Sequence, residues 1–389
     1  MTTTAIFAVP KQTTVEPIFT APMLGMVGVM LSAMSSFYLL LSAIPALAAS
    51  LGGPSAAGAA TGVLMAATIA GEVVAPRIVA SCGRKVALAL ALVVLAIACL
   101  AALPSSLALI LVNCVARGMA LGVLLVAACG ISVQLAPPSR RAEAMSLYGV
   151  ASAVPAILAV PLGPWVLIHL GPSGTALAAA SLALAALAAT VVLPANIRVG
   201  EQQDHSLPHW RAAASPALCL ACGAVLVGAA VTVVSLAHPE ASDSSIMFGL
   251  FLQGAGAAFT RWASARQIDR KGATAATLTG LASCAIAAVC LSIHAEAAML
   301  AGMLLSGMAF GVLQSATLAD LLARVGPSNA DGAAALWNVA YDAGLGVGGL
   351  AVAALATSIG FSAAFAVTAV SFAFVTVLSV KRKNRISQC

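Results

Sequence analysis

The stretch GMAFGVL, residues 307–313, repeats an earlier stretch of the same chain, GMALGVL at residues 118–124, with one apolar exchange. The two copies are separated by 307 − 118 = 189 residues. The same offset aligns other residues without gaps: Gly83 with Gly272, Leu147 with Leu336, and Tyr148 with Trp337. An internal match of this length predicts two copies of one structural module, each of roughly 190 residues.

The composition is that of an integral membrane protein. Hydrophobic residues make up 61% of the chain and charged residues 8%, and the mean hydropathy is +1.06. A soluble domain carries roughly 25% charged residues, so this chain cannot cover a water-facing surface. The apolar runs are continuous and roughly 20 residues long, which is typical of membrane-spanning helices and not of the alternating strands of a barrel.

The apolar runs predict an all-α fold of twelve transmembrane helices in two pseudo-symmetric six-helix halves. Pro and Gly residues mark many of the breaks between them. The predicted spans are 21–46, 56–76, 86–103, 106–133, 144–168, 174–194, 214–237, 246–265, 274–293, 297–320, 332–356 and 360–380. A duplicated membrane bundle of this kind is typical of a transporter whose substrate site lies between its halves.

The remaining segments divide the chain into five parts. We predict an N-terminal tail at 1–19, a first bundle at 20–194, a linker at 195–213, a second bundle at 214–380 and a basic tail at 381–389. Sixteen of the eighteen Lys and Arg residues fall on one side of this arrangement, which by the positive-inside rule is the cytoplasm. We therefore expect a multi-pass protein of the cell inner (plasma) membrane with both termini cytoplasmic.

Several classes of partner are not expected. The basic residues are scattered along inter-helix loops and form no continuous face, so the +6 charge does not indicate nucleic-acid binding. Most of the nine cysteines lie inside apolar runs, where they pack as small hydrophobic residues. The sequence holds no P-loop, His-rich metal motif or nucleophile elbow, so we expect neither an enzyme nor a metal or cofactor. The expected partners are a small-molecule substrate, protons and the lipid bilayer, with the chain as a monomer.

Residues at the second and eighth inter-span loops resemble the loop motif of the major facilitator superfamily. The second copy keeps Asp269 and Arg270 followed by Gly272, and the first copy keeps Gly83 and Arg84. The resemblance implies a cytoplasmic gate formed by these five residues. Elsewhere Arg117, with Gly118 and Gly122, resembles the family's conserved-arginine motif, and Pro155 stands in its antiporter signature without the accompanying glycines. Overall, the sequence most resembles bacterial efflux-type members of this superfamily.

Arg117 and Asp342 are ionisable residues near the middle of predicted spans. They lie roughly 16 Å and 15 Å along their helices, at 1.5 Å per residue, where a charge is costly unless it meets a partner or a cavity. The 189-residue offset aligns them with Ser306 and Ala153, so the module folds without either charge. In family members a carboxylate of the first span often carries the proton; residues 21–46 contain none, which makes Asp342 the candidate by elimination. Structural ion pairing stays open for both residues.

Polar and aromatic residues at similar depth are predicted to line a substrate cavity. They are Met34, Phe37, Tyr38, Asn113, Gln253, Gln314, Trp337, Asn338 and Tyr341. Inter-helix packing is the alternative for each of them. Glu72 and Arg261 align with one another near predicted span ends, and we interpret them as interfacial residues.

The sequence thus predicts a secondary active transporter that exports a small amphiphilic organic molecule by proton-coupled alternating access, with Asp342 and Arg117 in the coupling. A proton symporter or facilitator that imports a small metabolite stays open, because the same fold serves both directions.

Overall fold

The computed structural model describes residues 18–101, 106–137, 140–194, 210–325 and 330–386, and nearly all of them are helical. Eight stretches of these ranges are long and apolar enough to cross a membrane. Ten α-helices occur there: α1 (Ala21–Cys82), α2 (Arg84–Leu100), α3 (Leu107–Leu135), α4 (Arg141–Ala189), α5 (Trp210–Ala237), α6 (Asp243–Lys271), α7 (Ala273–Leu291), α8 (Glu296–Val325), α9 (Ala330–Ile359) and α10 (Phe361–Ile386). The all-helical membrane fold is confirmed, although the helices number ten in the described ranges and not the twelve expected.

The difference in number lies in α1 and α4, which each cover two predicted spans. A straight helix of the 62 residues of α1 would be about 93 Å long, roughly three times a bilayer core. Gly53 in α1 and Gly171 in α4 interrupt the helices with φ of 69° and 67°. A proline follows each of these glycines, as it does at the first position of many helices. The chain therefore turns at both glycines while the helical hydrogen bonding continues on either side.

Backbone geometry follows the 189-residue repeat. Gly83 has φ 82° and ψ 159°, and Gly272 has φ 81° and ψ 155°. Gly171 and Gly360 form a second aligned pair, with φ of 67° and 80°. Glycine is the residue that adopts these positive φ angles without strain. The two copies therefore turn at the same positions, and we call α1–α4 the first repeat and α5–α10 the second repeat.

The duplicated heptad makes the same helix crossing in both repeats. A Cβ atom at Gly118 of α3 would overlap the Leu64 carbonyl oxygen of α1, and one at Gly307 of α8 would overlap the Gln253 carbonyl oxygen of α6. Leu64 and Gln253 are themselves 189 residues apart. Glycine at these positions lets two helix backbones come into direct contact, which is how small residues drive helix association in membranes.

At a second contact of this crossing, a glycine of the first repeat aligns with a hydrogen-bonding residue of the second repeat. In the first repeat, a Cβ at Gly71 would overlap the Met119 carbonyl oxygen. In the second repeat, the aligned residue Thr260 donates its hydroxyl to the Met308 carbonyl oxygen at 2.8 Å. The aligned carbonyl group is contacted at this position in both repeats. The Thr260 hydroxyl group of the second repeat makes a hydrogen bond where Gly71 of the first repeat has no side chain.

The two repeats pack on each other where the segment of α1 that follows Gly53 contacts the last part of α9. Gly58 lies against Ala353, and Gly62 lies against Leu350 and Gly346. This contact is at the end of the bundle away from the Lys and Arg residues, which we call the non-basic end; the opposite end is the basic end. Close backbone contact between glycines closes the non-basic end of the bundle.

Parts of the predicted domain division fall outside the described residues. These are most of the N-terminal tail at 1–19, most of the linker at 195–213, and the end of the basic tail at 381–389. Of the linker, the last residues already belong to α5, which begins at Trp210. Of the basic tail, all but three residues continue α10, which ends at Ile386.

Candidate substrate site between the two repeats

Asp342 is a buried carboxyl group near the middle of α9. It lies twelve residues after Ala330, or about 18 Å along the helix, and its residue is 7% exposed. Among the residues that the structure describes, no hydrogen bond or ion pair holds this carboxyl group, and the charge that acts on it is that of Glu72. A buried carboxyl group without such partners costs several kcal/mol when it is ionised.

The packing of α1 on α9 brings Glu72 to the same region. The two helices run antiparallel, with Met65 against Gly346. Continuing this register places Asp342 level with Ile69, and Glu72 three residues, or about 4.5 Å, nearer the basic end. Glu72 is half-buried. Two carboxyl groups, one from each repeat, therefore lie about one helical turn apart in depth at the contact between the repeats.

Aromatic side chains and a guanidinium group lie beside the carboxyl groups. The rings of Phe310 and Tyr341 stack with centroids 5.4 Å apart, and those of Trp337 and Tyr341 stack at 6.4 Å. The Cζ atom of Arg261 lies 5.9 Å from the centroid of the Trp337 ring, within cation–π range. Tyr38 of the first repeat and Tyr341 of the second are both half-buried against the same hydrophobic cluster.

The repeat relates several members of this group to one another. Glu72 aligns with Arg261, and Tyr148 aligns with Trp337. In the second repeat, Arg261 lies over the ring of Trp337. The repeat thus carries opposite charges at one aligned position and aromatic rings at another. We call Tyr38, Glu72, Arg261, Trp337, Tyr341 and Asp342 the interface site.

Glu72 and Arg261 lie further from their helix ends than the predicted spans indicate, with Glu72 half-buried and Arg261 exposed. The predicted spans end at 76 and 265, whereas α1 runs to Cys82 and α6 runs to Lys271. Both residues are therefore ten positions, or about 15 Å, inside the ends of their helices. Their alignment with each other could have placed both residues in the site. Aligned positions of two repeats face the same interface, and these two positions carry opposite charges.

Arg117 lies inside the first repeat, away from Asp342. Its side chain is fully buried, and its Nη2 atom donates to the Phe37 carbonyl oxygen at 3.3 Å. The guanidinium carbon lies 5.9 Å from the centroid of the Phe37 ring, while Nε and Nη1 have no hydrogen-bond partner in the described part of the chain. Arg117, predicted together with Asp342 for proton coupling, therefore packs within the first repeat in this conformation.

Other residues predicted to line the cavity are divided between the two repeats. Asn113 is buried in the first repeat and donates to the Ala98 carbonyl oxygen, and Met34 packs in the same core. Gln253 is buried in the second repeat, where its Nε2 atom donates to Ser306, the residue aligned with Arg117, at 2.9 Å. Gln314 is half-buried and Asn338 is exposed. Of the predicted lining, the structure brings together Tyr38, Trp337 and Tyr341.

The predicted cytoplasmic gate is described in part. Gly83 and Gly272 form the tight turns at the basic end given above, and Arg84 lies against Gly130 of α3. The side chains of Asp269 and Arg270 lie outside the described residues. The position of the turns agrees with the motif, and the ion-pair latch stays a prediction.

The comparison of the chain with known families gives one match, which covers residues 26–321 and is described as the Major Facilitator Superfamily. This range is more than half of the chain. The chain belongs to the Major Facilitator Superfamily. Solved structures of superfamily transporters share its fold: the nucleoside transporter NupG superposes with a TM-score of 0.74 at 14% identity, covering 93% of this chain and 100% of that one.

Two further structures give similar values. A bacterial homolog of the human lysosomal transporter Spinster, in an inward-facing and occupied conformation, has a TM-score of 0.75 at 14% identity and covers 95% of this chain and 97% of that one. A variant of the peptide transporter POT in complex with alafosfalin has a TM-score of 0.75 at 12% identity, covering 94% of this chain and 95% of that one. No curated protein matches the sequence. Membership of this family indicates a multi-pass membrane transporter.

Proposed function

We propose that this superfamily member is a secondary active transporter that exports a small amphiphilic organic molecule in exchange for protons. The observation that carries the proposal is Asp342, a buried carboxyl group without hydrogen bond or ion pair in the described chain, at the contact between the repeats. A group in this position can take up a proton from one side and release it to the other when the repeats move. The aromatic rings beside it offer an apolar surface to the substrate.

The proposed arrangement has twelve spans in two six-helix halves, with the breaks at Gly53 and Gly171 counted as span boundaries. The alignment of Gly171 with Gly360 supports this count, because Gly360 separates α9 from α10 as two distinct helices. The excess of Lys and Arg at the basic end supports a cytoplasmic location of that end and of both termini in the inner membrane. In this orientation the glycine contact between α1 and α9 closes the external side.

The direction of coupling can be measured before the substrate is known. Everted vesicles with an acidic lumen are loaded with a fluorescent reporter of the pH gradient, and a panel of amphiphilic compounds is added. We expect individual compounds to dissipate the gradient only when the protein is present, because each molecule that enters the lumen releases protons. If protons leave the lumen only when a compound leaves with them, the protein is an importing symporter. If the compound moves without protons, the protein is a facilitator.

A disulfide across the closed end tests alternating access. The hydroxyl oxygens of Thr61 in the first repeat and Thr232 in the second lie 2.9 Å apart. In a cysteine-free background, Thr61→Cys combined with Thr232→Cys is expected to cross-link on oxidation and to stop transport until a reductant is added. Each single variant, treated in the same way, is the control. A cross-linked protein that transports at the rate of the reduced one would contradict the proposal that this end must open.

Substitution of Arg117 separates a functional role from a structural one. Arg117→Met keeps an unbranched apolar stem and removes a buried charge whose Nε and Nη1 atoms have no partner in the described chain. Removal of unsatisfied buried donors is neutral or stabilising, so we expect the melting temperature to stay or rise. Transport is expected to fall about tenfold or more, a barrier change of about 1.4 kcal/mol. A lower melting temperature with unchanged transport per folded molecule would assign Arg117 to the fold alone.

A further inference from the structure

Charges of both signs in the interface site are left without ion pairs. The ion pairs of the described residues join Arg140 with Glu143, His238 with Glu240, and Arg324 with Asp320, all at helix ends or in loops. Arg261 is in none of them, nor are Glu72 and Asp342. A guanidinium group and two carboxyl groups therefore stand in one site without neutralising each other in this conformation.

The aromatic rings connect the two charges of the site. The Cζ atom of Arg261 lies 5.9 Å from the centroid of the Trp337 ring, and this ring stacks on that of Tyr341 at 6.4 Å. Asp342 directly follows Tyr341 in α9 and lies about 7.5 Å along the helix from Trp337. A small molecule lying against these rings can therefore reach the carboxyl group with one end and the guanidinium group with the other.

We propose that the interface site binds organic zwitterions, molecules with an ammonium group and an anionic group on a partly apolar frame. The ammonium group pairs with Asp342 and Glu72, the anionic group pairs with Arg261, and the apolar frame lies against Trp337 and Tyr341. The reason is electrostatic: an amine makes charge-assisted contacts with the carboxyl groups only, and an acid makes them with the exposed Arg261 only, whereas a zwitterion makes both. Only a ligand with both charges satisfies the whole site. This inference rests on the proposed function, because it names the substrate class of that site.

The experiment uses two sets of matched compounds that differ only in their charged groups. The first set is phenylalanine, phenethylamine and 3-phenylpropionate; the second is leucine, 3-methylbutylamine and 4-methylpentanoate. Binding to the purified full-length protein is measured by the ligand-induced rise in melting temperature over a concentration series. We expect the zwitterion of at least one set to bind about tenfold or more tightly than both single-charge partners, since each charge-assisted contact contributes about 1.5–3 kcal/mol.

Variants assign the two ends of the ligand. Arg261→Gln is expected to remove the preference for the zwitterion over the amine and to leave its preference over the acid. Asp342→Asn is expected to do the opposite. Arg324→Gln, which alters an exposed arginine paired with Asp320, is the matched control and is expected to keep both preferences.

Three results would overturn the proposal: equal binding of zwitterion and amine, equal binding of zwitterion and acid, or no binding of any compound in either set. A preference that Arg261→Gln leaves intact would also overturn it, because Arg261 would then serve another purpose, such as pairing with a carboxyl group in the other conformation. The assay needs neither a gradient nor flux. A failure of proton coupling would therefore leave the binding result standing, and a failure of binding would leave the coupling result standing.

Discussion

Asp342→Asn is expected to reduce pH-driven transport to the level of vesicles that lack the protein. The amide has nearly the same size and shape as the carboxylic acid but cannot take up or release a proton near neutral pH. Exchange of labelled for unlabelled substrate across a membrane without a pH gradient should continue, because it requires movement of the loaded protein and no net proton transfer. The measurement is the ratio of pH-driven flux to exchange in the same vesicle preparation.

The control for this variant is Glu240→Gln, which neutralises an exposed carboxylate in the loop after α5 and should leave both rates unchanged. The backbone amide of Glu240 itself and the neighbouring His238 lower the pKa of this carboxyl group, so it is ionised near neutral pH and the control removes a real charge. If Asp342→Asn kept its pH-driven flux, proton coupling would have to lie elsewhere in the chain, and the proposed mechanism would be wrong.

Gly307→Ala is expected to prevent most of the protein from folding. The added methyl group would overlap the Gln253 carbonyl oxygen of α6, and backbone cannot move aside as a flexible side chain can. The helices α6 and α8 would have to separate along the crossing that the duplicated heptad forms. Overpacking of this kind costs about 1–3 kcal/mol and more where backbone is displaced. The measurement is the yield of monodisperse protein together with its melting temperature.

Gly149→Ala is the matched control, since Gly149 lies in α4 with no atom within 4 Å of an added Cβ atom. The same change in the first copy, Gly118→Ala, is expected to act like Gly307→Ala, because Gly118 meets the Leu64 carbonyl oxygen in the same way. Normal yield and melting temperature for both variants would show that the heptad repeat does not hold the crossings together.

The repeat made much of the fold predictable from sequence. The offset found at 307–313 recurs in the dihedral angles of Gly83 and Gly272, and in the backbone atoms that Gly118 and Gly307 contact. The number of helices depends on the breaks in α1 and α4, where Gly53 and Gly171 leave helical geometry. A glycine followed by a proline ends a hydropathy run whether or not the chain resumes as a helix, so the pattern cannot tell one kinked helix from two helices.

The candidate site was predictable only in part. Asp342 and the aromatic residues near it have the depth and spacing that indicate a cavity, and the structure stacks Trp337 on Tyr341, the residue before Asp342. Arg117 has the same depth but faces the interior of its own repeat. Depth follows from counting residues along a helix, whereas the direction of a side chain depends on how the helix is rotated against its neighbours. Helices that are apolar all round give no signal of that rotation.

The proposed mechanism requires the two repeats to rock as units about a site whose protonation biases their movement. Spin labels at Ser81→Cys in the first repeat and Ala323→Cys in the second, both exposed at the basic end, allow the distance between the repeats to be measured by pulsed electron paramagnetic resonance in a cysteine-free background. We expect two distance populations, several ångströms apart, whose ratio changes with pH in the otherwise native protein and is fixed in Asp342→Asn. A single distance that is the same at every pH would rule out this movement.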